Sequence, residues 1–269
     1  MPKLGSSQII DAPLVNAAPG LPIVPELTDH EFLVARTPDV GLWVDPANAP
    51  PSGMPLLREK RSGLKLARFA GDKTTTLAPN IANGHPVIRF TGDNAQGILV
   101  PADYVVPAAA YTLIAVVAIR DLTQAAVIAG DPSGTASPRF NFALQAGAGK
   151  AGIRIDHGNA TGDRLVVDAG AEGAGLPQDT FAVIAASVDG ATDSARLYMN
   201  ETEIAATGNF TVDNPREPGL HLGTINGSNT GAIDLAEFVI LHRSSHADAT
   251  GIASRIALTA SLKAKFGIV

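Results

Sequence analysis

Residues 180–206 read TFAVIAASVDGATDSARLYMNETEIAA, and this stretch decides the fold. Thr180 to Val188 is an apolar run of strand length, closed by the turn pair Asp189-Gly190. Ala195 to Asn200 and Glu203 to Ala206 then read as a hairpin around Glu201-Thr202. Short strands separated by turn residues, with no helical period between them, imply antiparallel β-structure.

The same rhythm continues on both sides. Gly41 to Asp45 reads as a short strand ending at Pro46, and Leu64 to Phe69 alternates with period two. Val87 to Thr91 leads through Gly92-Asp93-Asn94 into Gly97 to Val100. Tyr111 to Arg120 is apolar on both faces, as a central strand should be. Ala125 to Ala129, Arg139 to Gln145, Gly152 to His157 and Arg164 to Asp168 extend the series, and Gly219 to Gly223 and Ile233 to Arg243 close it. One helix is expected at the C-terminus. Ser245-His246-Ala247-Asp248 has the form of a capping box with Ser245 as cap. Ile252, Ile256, Leu258, Leu262 and Phe266 are read as its apolar stripe, Lys263 and Lys265 suit the end of the helix dipole, and Gly267 stops it.

Residues 1–38 differ. Pro13, Pro19, Pro22, Pro25 and Pro38 break short apolar pieces, so neither helix nor central strand is expected to run through. The reading is an extended N-terminal arm before a single domain over 39–269. The arm's apolar residues, Ile9, Ile10, Leu14, Val15, Leu21, Ile23 and Val24, are the candidate assembly contacts. A solvated tail, common at termini, would be polar, so the apolar arm is expected to lie against something, with docking to another chain preferred to packing along its own domain. Deleting residues 1–38 is then expected to leave a folded monomer that no longer assembles.

Composition excludes several classes. A net charge of -6, with Arg58-Glu59-Lys60-Arg61 as the densest basic cluster, gives no basic face for nucleic acid. With no cysteine there are no disulfides, thiolate metal sites or Cys nucleophiles. No apolar run approaches 18 residues, so no membrane insertion is expected, and the N-terminus lacks the apolar core of a signal peptide.

Several segments in order resemble the concanavalin A-like lectin/glucanase (laminin-G-like) superfamily, in particular modules of phage and bacterial surface proteins. They are Gly41-Leu42-Trp43-Val44-Asp45, Asn83 to Gly92, Thr112 to Arg120, Phe181 to Asn200, Gly231 to Leu241, and Leu262 to Ile268. The resemblance covers residues 40–269. Glu201 stands where relatives often carry Gly, and Thr91 where Asp is usual. The fold it implies is an all-β, two-sheet antiparallel jelly-roll sandwich with one C-terminal helix.

The glucanases of that superfamily place acids on one strand face, and a retaining pair needs carboxylates about 5 Å apart. Here Glu201 and Glu203 sit at a hairpin. Asp234 and Glu237 are spaced by three, which on a regular strand puts them on opposite faces. No catalytic or cofactor-binding residue is therefore assigned. Calcium is left as an open expectation, with Asp93, Asn94, Asp131, Asp156, Asp163 and Asp189 as turn or strand-end oxygens and no ligand set chosen. The six His, at 30, 85, 157, 221, 242 and 246, are scattered, and His242 with His246 reads as a corner pair. Glu237, expected to share a face with Leu235, Val239 and Leu241, is either a ligand contact or an acid satisfied by Arg or backbone amides under the C-terminal helix. Trp43 reads as a core anchor before it reads as a sugar platform.

The functional expectation is a non-enzymatic virion structural protein: a head decoration, spike, fibre or tail-associated subunit at the virion surface. It docks on capsid or tail proteins through its arm, forms a homo-oligomer and displays the sandwich outward toward a host glycan. The alternatives are a carbohydrate-binding module of a bacterial surface or secreted protein and, more remotely, a glycoside hydrolase.

Overall fold

The computed structural model describes residues 27–48, 57–68, 72, 74–93, 96–107, 109–132, 140–158, 161–170, 175–212, 219–225 and 231–269. The candidate assembly contacts Ile9, Ile10, Leu14, Val15, Leu21, Ile23 and Val24 lie outside them.

The elements in chain order are α1 (Asp29–Arg36), β1 (Val40–Val44), β2 (Ala67–Arg68), β3 (Thr76–Ala82), β4 (His85–Thr91), β5 (Ile98–Val100), β6 (Ala110–Ile119), β7 (Ala126–Gly130) and β8 (Phe140–Gln145). There follow β9 (Lys150–His157), β10 (Arg164–Val167), β11 (Leu176–Pro177), β12 (Ala182–Asp189), β13 (Ser194–Met199), β14 (Thr202–Thr207), β15 (Leu220–Leu222), β16 (Ala232–Leu241) and α2 (Ala249–Phe266). Two antiparallel eight-stranded sheets face each other. One runs β14-β13-β12-β6-β16-β4-β3 with β1 paired to β16, and the other runs β10-β9-β8-β7-β15-β5-β2 with β11 paired to β9. The expected all-β sandwich with a C-terminal helix is the structure found.

The core between the sheets is filled by inward residues such as Phe90, Tyr111, Phe140, Phe142, Phe210 and Phe238, all fully buried. Burying each such side chain contributes about 1.5–3 kcal/mol. A second apolar layer explains why β6 is apolar on both faces. Leu113, Ala115 and Val117 point into the sandwich, whereas Ile114 and Val116 point outward under the helices. Val34 of α1 and Leu258, Leu262 and Phe266 of α2 complete that outer layer.

Several expectations are corrected. Residues 29–36 are not extended arm: they form α1, held on the sandwich. Thr28 caps it by a full capping box, its hydroxyl accepting from Glu31 N while the Glu31 carboxylate accepts from Thr28 N. The cap of α2 is Asp248, whose carboxylate accepts from Gly251 N at 2.8 Å, and not Ser245. Ile252 and Ile256 are exposed, because Ile256 and Leu258 stand about 200° apart around a helix at 3.6 residues per turn. The stripe that packs is Gly251, Arg255, Leu258, Thr259, Leu262 and Phe266. Among the described residues of that segment, Leu64 to Arg68, Ala67–Arg68 is the strand, with Lys65 bridged to Arg58.

The β13–β14 turn falls one residue earlier than expected, at Asn200-Glu201. Both have positive φ, 46° and 77°, as a two-residue type I′ hairpin needs. The last correction bears on the site. β16 carries a bulge at Ala236, with Leu235 opposite Val117 and Glu237 opposite Val116. The extra residue reverses the alternation. Leu235 therefore points into the sandwich, while Asp234 and Glu237 share the outer face with Val239 and Leu241.

Candidate functional site

The outer face of the first sheet, where α1 and α2 meet over β1, β4 and β16, holds a chain of buried charges. Glu237 is 1% exposed and accepts three hydrogen bonds: from Trp43 Nε1, from His30 Nε2 and from Lys265 Nζ, each at 2.7 Å. Lys265 Nζ also donates to Asp45 Oδ2 at 2.9 Å. Asp45 takes a second ammonium, Lys60, at 2.9 Å, and Lys60 reaches Glu31 of α1 at 2.6 Å. His30 Nδ1 closes the path on Ser261 of α2 at 2.8 Å. Two helices, two strands and the segment after β1 are thus stitched together by polar contacts inside an apolar layer.

The physical demand comes from Glu237. A buried carboxylate is expensive unless paired and hydrogen-bonded, and here three donors saturate it. The expectation that Arg or backbone amides would satisfy it is corrected: an indole, an imidazole and an ammonium do so. Trp43 is the core anchor, 5% exposed, with Lys60 Nζ 4.6 Å from its ring centroid. Burial pushes the Asp45 carboxyl up, but Lys265 and Lys60 outweigh it and its pKa lies below the ordinary value. Burial likewise pulls Lys265 down, and Glu237 and Asp45 outweigh it, so its pKa is raised. The ionised forms of both are favoured.

Above this floor lies a cavity of about 350 Å³, lined by Thr28, Asp29, His30, His85, Ser261, Ala264 and Lys265. Asp29 and His85 lie where its wall meets solvent. Asp29 is exposed at the first turn of α1. His85 begins β4 and meets the Phe266 ring edge-on at 5.3 Å. Its pKa is lowered, first by burial and then by Lys265, so the imidazole is neutral at pH 7 and offers one donor and one acceptor. The sequence reading missed this wall because it assigned residues 29–36 to the arm and treated the His as scattered. The Thr28-x-x-Glu31 pattern was the available signal.

The other expected residues are engaged elsewhere. Asp234 lies on the same outer face, but in a separate network with Arg89 at 2.7 and 2.8 Å and Arg120 at 3.0 Å. Of the calcium candidates, Asp93 accepts from Thr91, Asp131 from Phe140 N and Asp189 from Ala191 N, while Asp156 is held by Arg154, Arg164 and Asn141. Asn94 lies outside the described residues. No three metal-ligating side chains come together among the described residues. His242 bonds the Tyr104 hydroxyl at 3.1 Å, and His246 bonds Ser187 and Ser194 at 2.7 and 2.8 Å.

No protein-family model and no curated protein matches the chain. Solved structures do. Domain 4 of AbnA, a GH43 extracellular arabinanase from Geobacillus stearothermophilus solved in complex with arabinotriose, matches with TM-score 0.58 and 15% identity over 82% of this chain and 98% of that one. The botulinum neurotoxin serotype D binding domain matches at 0.56 and 11%, over 83% and 51%. The binding domain of Paraclostridial mosquitocidal protein 1 matches at 0.55 and 12%, over 80% and 52%. The fold shared with these domains is a two-sheet β-sandwich. At these identities the likeness is one of fold alone, and the chain spans about half the length of the two toxin binding domains. Among the described residues no helix is long and apolar enough to cross a membrane.

Proposed function

We propose that the chain is a non-enzymatic display module. Its sandwich recognises carbohydrate at the cavity between α1, α2 and β4, and its N-terminal arm fastens it to a virion. The cavity carries this reading. Its floor is a set of polar groups already spent on one another, Ser261 with His30 among them, while its wall offers the exposed Asp29 carboxylate and the neutral His85 imidazole. A carboxylate accepts from adjacent sugar hydroxyls, and an imidazole can give or take the next bond. Sites of this kind fix orientation with a few placed polar groups.

Binding is preferred to hydrolysis because Glu237 and Asp234 each hold two or more donors in separate networks. Neither is a free acid or base. The solved domains of like fold support the reading by what their names say of them: one holds arabinotriose and two are binding domains of toxins. The arm reading rests on the apolar, Pro-broken sequence of residues 1–26. We further propose that the module self-associates and meets capsid or tail proteins through that arm.

A glycan array, run with and without calcium on the wild type and on Asp29→Ala/His85→Ala, tests the site. Binding by the wild type and its loss in the double variant are expected. Equal binding by both would move the site elsewhere, and reducing-end release from a polysaccharide panel would overturn the non-enzymatic reading. For the arm, the deletion must stop at residue 26. Removing residues 1–38 would strip His30 from Glu237 and damage the domain itself. The chain from residue 27 is expected to fold and bind as the wild type does and to fail to assemble; normal assembly would refute the arm's role.

A further inference from the structure

We infer that the exposed face of α2 is the docking surface for the chain's own residues 21–24. The near part of the N-terminal arm is strapped along the helix, and Ile9, Ile10, Leu14 and Val15 are left to reach another chain. This goes beyond the assembly role proposed for the arm and does not depend on it.

From Ile252 to its end, every exposed residue of α2 is Ile or Ala: Ile252, Ala253, Ile256, Ala260 and Ala264. At 3.6 residues per turn these positions fall within about 120° of one another, so they form one stripe along the helix. The solvent side of a surface helix is normally polar or charged, and this one is neither. Lys263 borders the stripe and pairs with no acid among the described residues.

The chain enters the domain beside the C-terminal end of that stripe. Thr28 and Asp29 line the same cavity as Ala264, and Leu27, one residue earlier, is 55% exposed. Before it, Pro22 and Pro25 each fix φ at about −65°, which suits an extended path of about 3.1 Å per residue. Ile23, four residues before Leu27, is then about 12 Å away, and Leu21, six residues before, about 19 Å. Along α2, at about 1.5 Å per residue, Ile256 stands about 12 Å from Ala264 and Ile252 about 18 Å. The two apolar pairs meet in register, Ile23 on Ile256 and Leu21 on Ile252. Glu26 falls at the near end, where Lys263 is, and supplies the opposite charge.

The short tether selects the chain's own segment over that of a second copy. A segment joined to its docking surface by a few residues is present at about millimolar effective concentration, and a second copy must compete with that. The driving force is the apolar surface that both partners remove from water.

The chain has no cysteine, so an introduced pair reports a single contact. The test uses the full chain carrying Ile23→Cys/Ile256→Cys or Leu21→Cys/Ile252→Cys, treated with a short bismaleimide at low protein concentration. Ile23→Cys/Ile81→Cys is the control. Ile81 is exposed on β3, near the same end of α2, where Asn83 Nδ2 donates to the Lys265 carbonyl at 3.1 Å. The two in-register pairs are expected to link within one chain about tenfold faster than the control. Equal rates would overturn the proposal. Links between two chains would overturn it too, by giving the face to a second copy's arm. Ile252→Gln/Ile256→Gln gives a readout that needs no cysteine: elastase cleavage within residues 21–24 is expected to speed about tenfold, with circular dichroism unchanged. An unchanged cleavage rate would count against the strap as fully as equal linking. Neither readout involves glycan binding or assembly, so failure here is separable from failure of the function proposed above.

Discussion

Replacing Glu237 by Ala removes the acceptor shared by Trp43, His30 and Lys265. Three donors within 2.7 Å lose their partner at once, in a layer where Trp43 is 5% and His30 5% exposed. Breaking a buried ion pair from one side costs about 3–5 kcal/mol, since the remaining charge stays buried. Asp45 still holds Lys265, which keeps the loss near the lower end, while the unpaired indole adds to it. The expected cost is about 4 kcal/mol, or roughly 10 °C in midpoint temperature for a domain of this size. Glu237→Gln retains an oxygen for the indole but no charge for Lys265, and about half that cost is expected. Urea unfolding followed by tryptophan fluorescence measures both, because Trp43 is the only Trp in the chain and lies in the network. A cost below about 1 kcal/mol for Glu237→Ala would refute the claim that this network fixes α1 and α2 to the sheet.

The remaining predictions concern individual elements. Asp248→Ala should cost about 1 kcal/mol through loss of the α2 cap, while Ser245→Ala, whose buried hydroxyl has no partner, should be near neutral; thermal unfolding of the two separates them. Glu201→Gly should stabilise the chain by about 1 kcal/mol, because Glu201 sits at φ 77° where only Gly is unstrained, and denaturant titration would show it. Burial pushes the His221 imidazole from 6.5 down to about 4, so the folded state binds fewer protons than the unfolded one in that window. Stability should therefore be full above about pH 6.5 and fall toward pH 4. His221→Asn should flatten that slope and leave the loss at lower pH, where Asp45, its pKa lowered, is protonated out of its pairs with Lys265 and Lys60.

The strands were legible because period two and turn residues are local signals. β6, β12 and β16 could be read from composition alone, since both of their faces are covered and the residues say so. β3 was not read: Pro79 argues against a central strand, and β3 is in fact an edge strand with an irregular register between Ala78 and Ala82. The candidate site was hardly legible. Its geometry depends on the bulge at Ala236, which no pattern in β16 marks and which alone brings Asp234 and Glu237 to one face. It depends as well on α1, hidden among prolines, and on a helix whose apolar residues lie on two sides. His30 and Glu237 are far apart in sequence and acquire meaning only as a pair.

Calorimetric titration of an array-selected glycan into the wild type and into Asp29→Ala/His85→Ala tests the central claim most directly. Saturable binding by the wild type that weakens tenfold or more in the double variant is predicted, about 1.4 kcal/mol or greater. Equal affinity in the two proteins, with the fold of the variant intact, would contradict the assignment of carbohydrate recognition to the cavity between α1, α2 and β4.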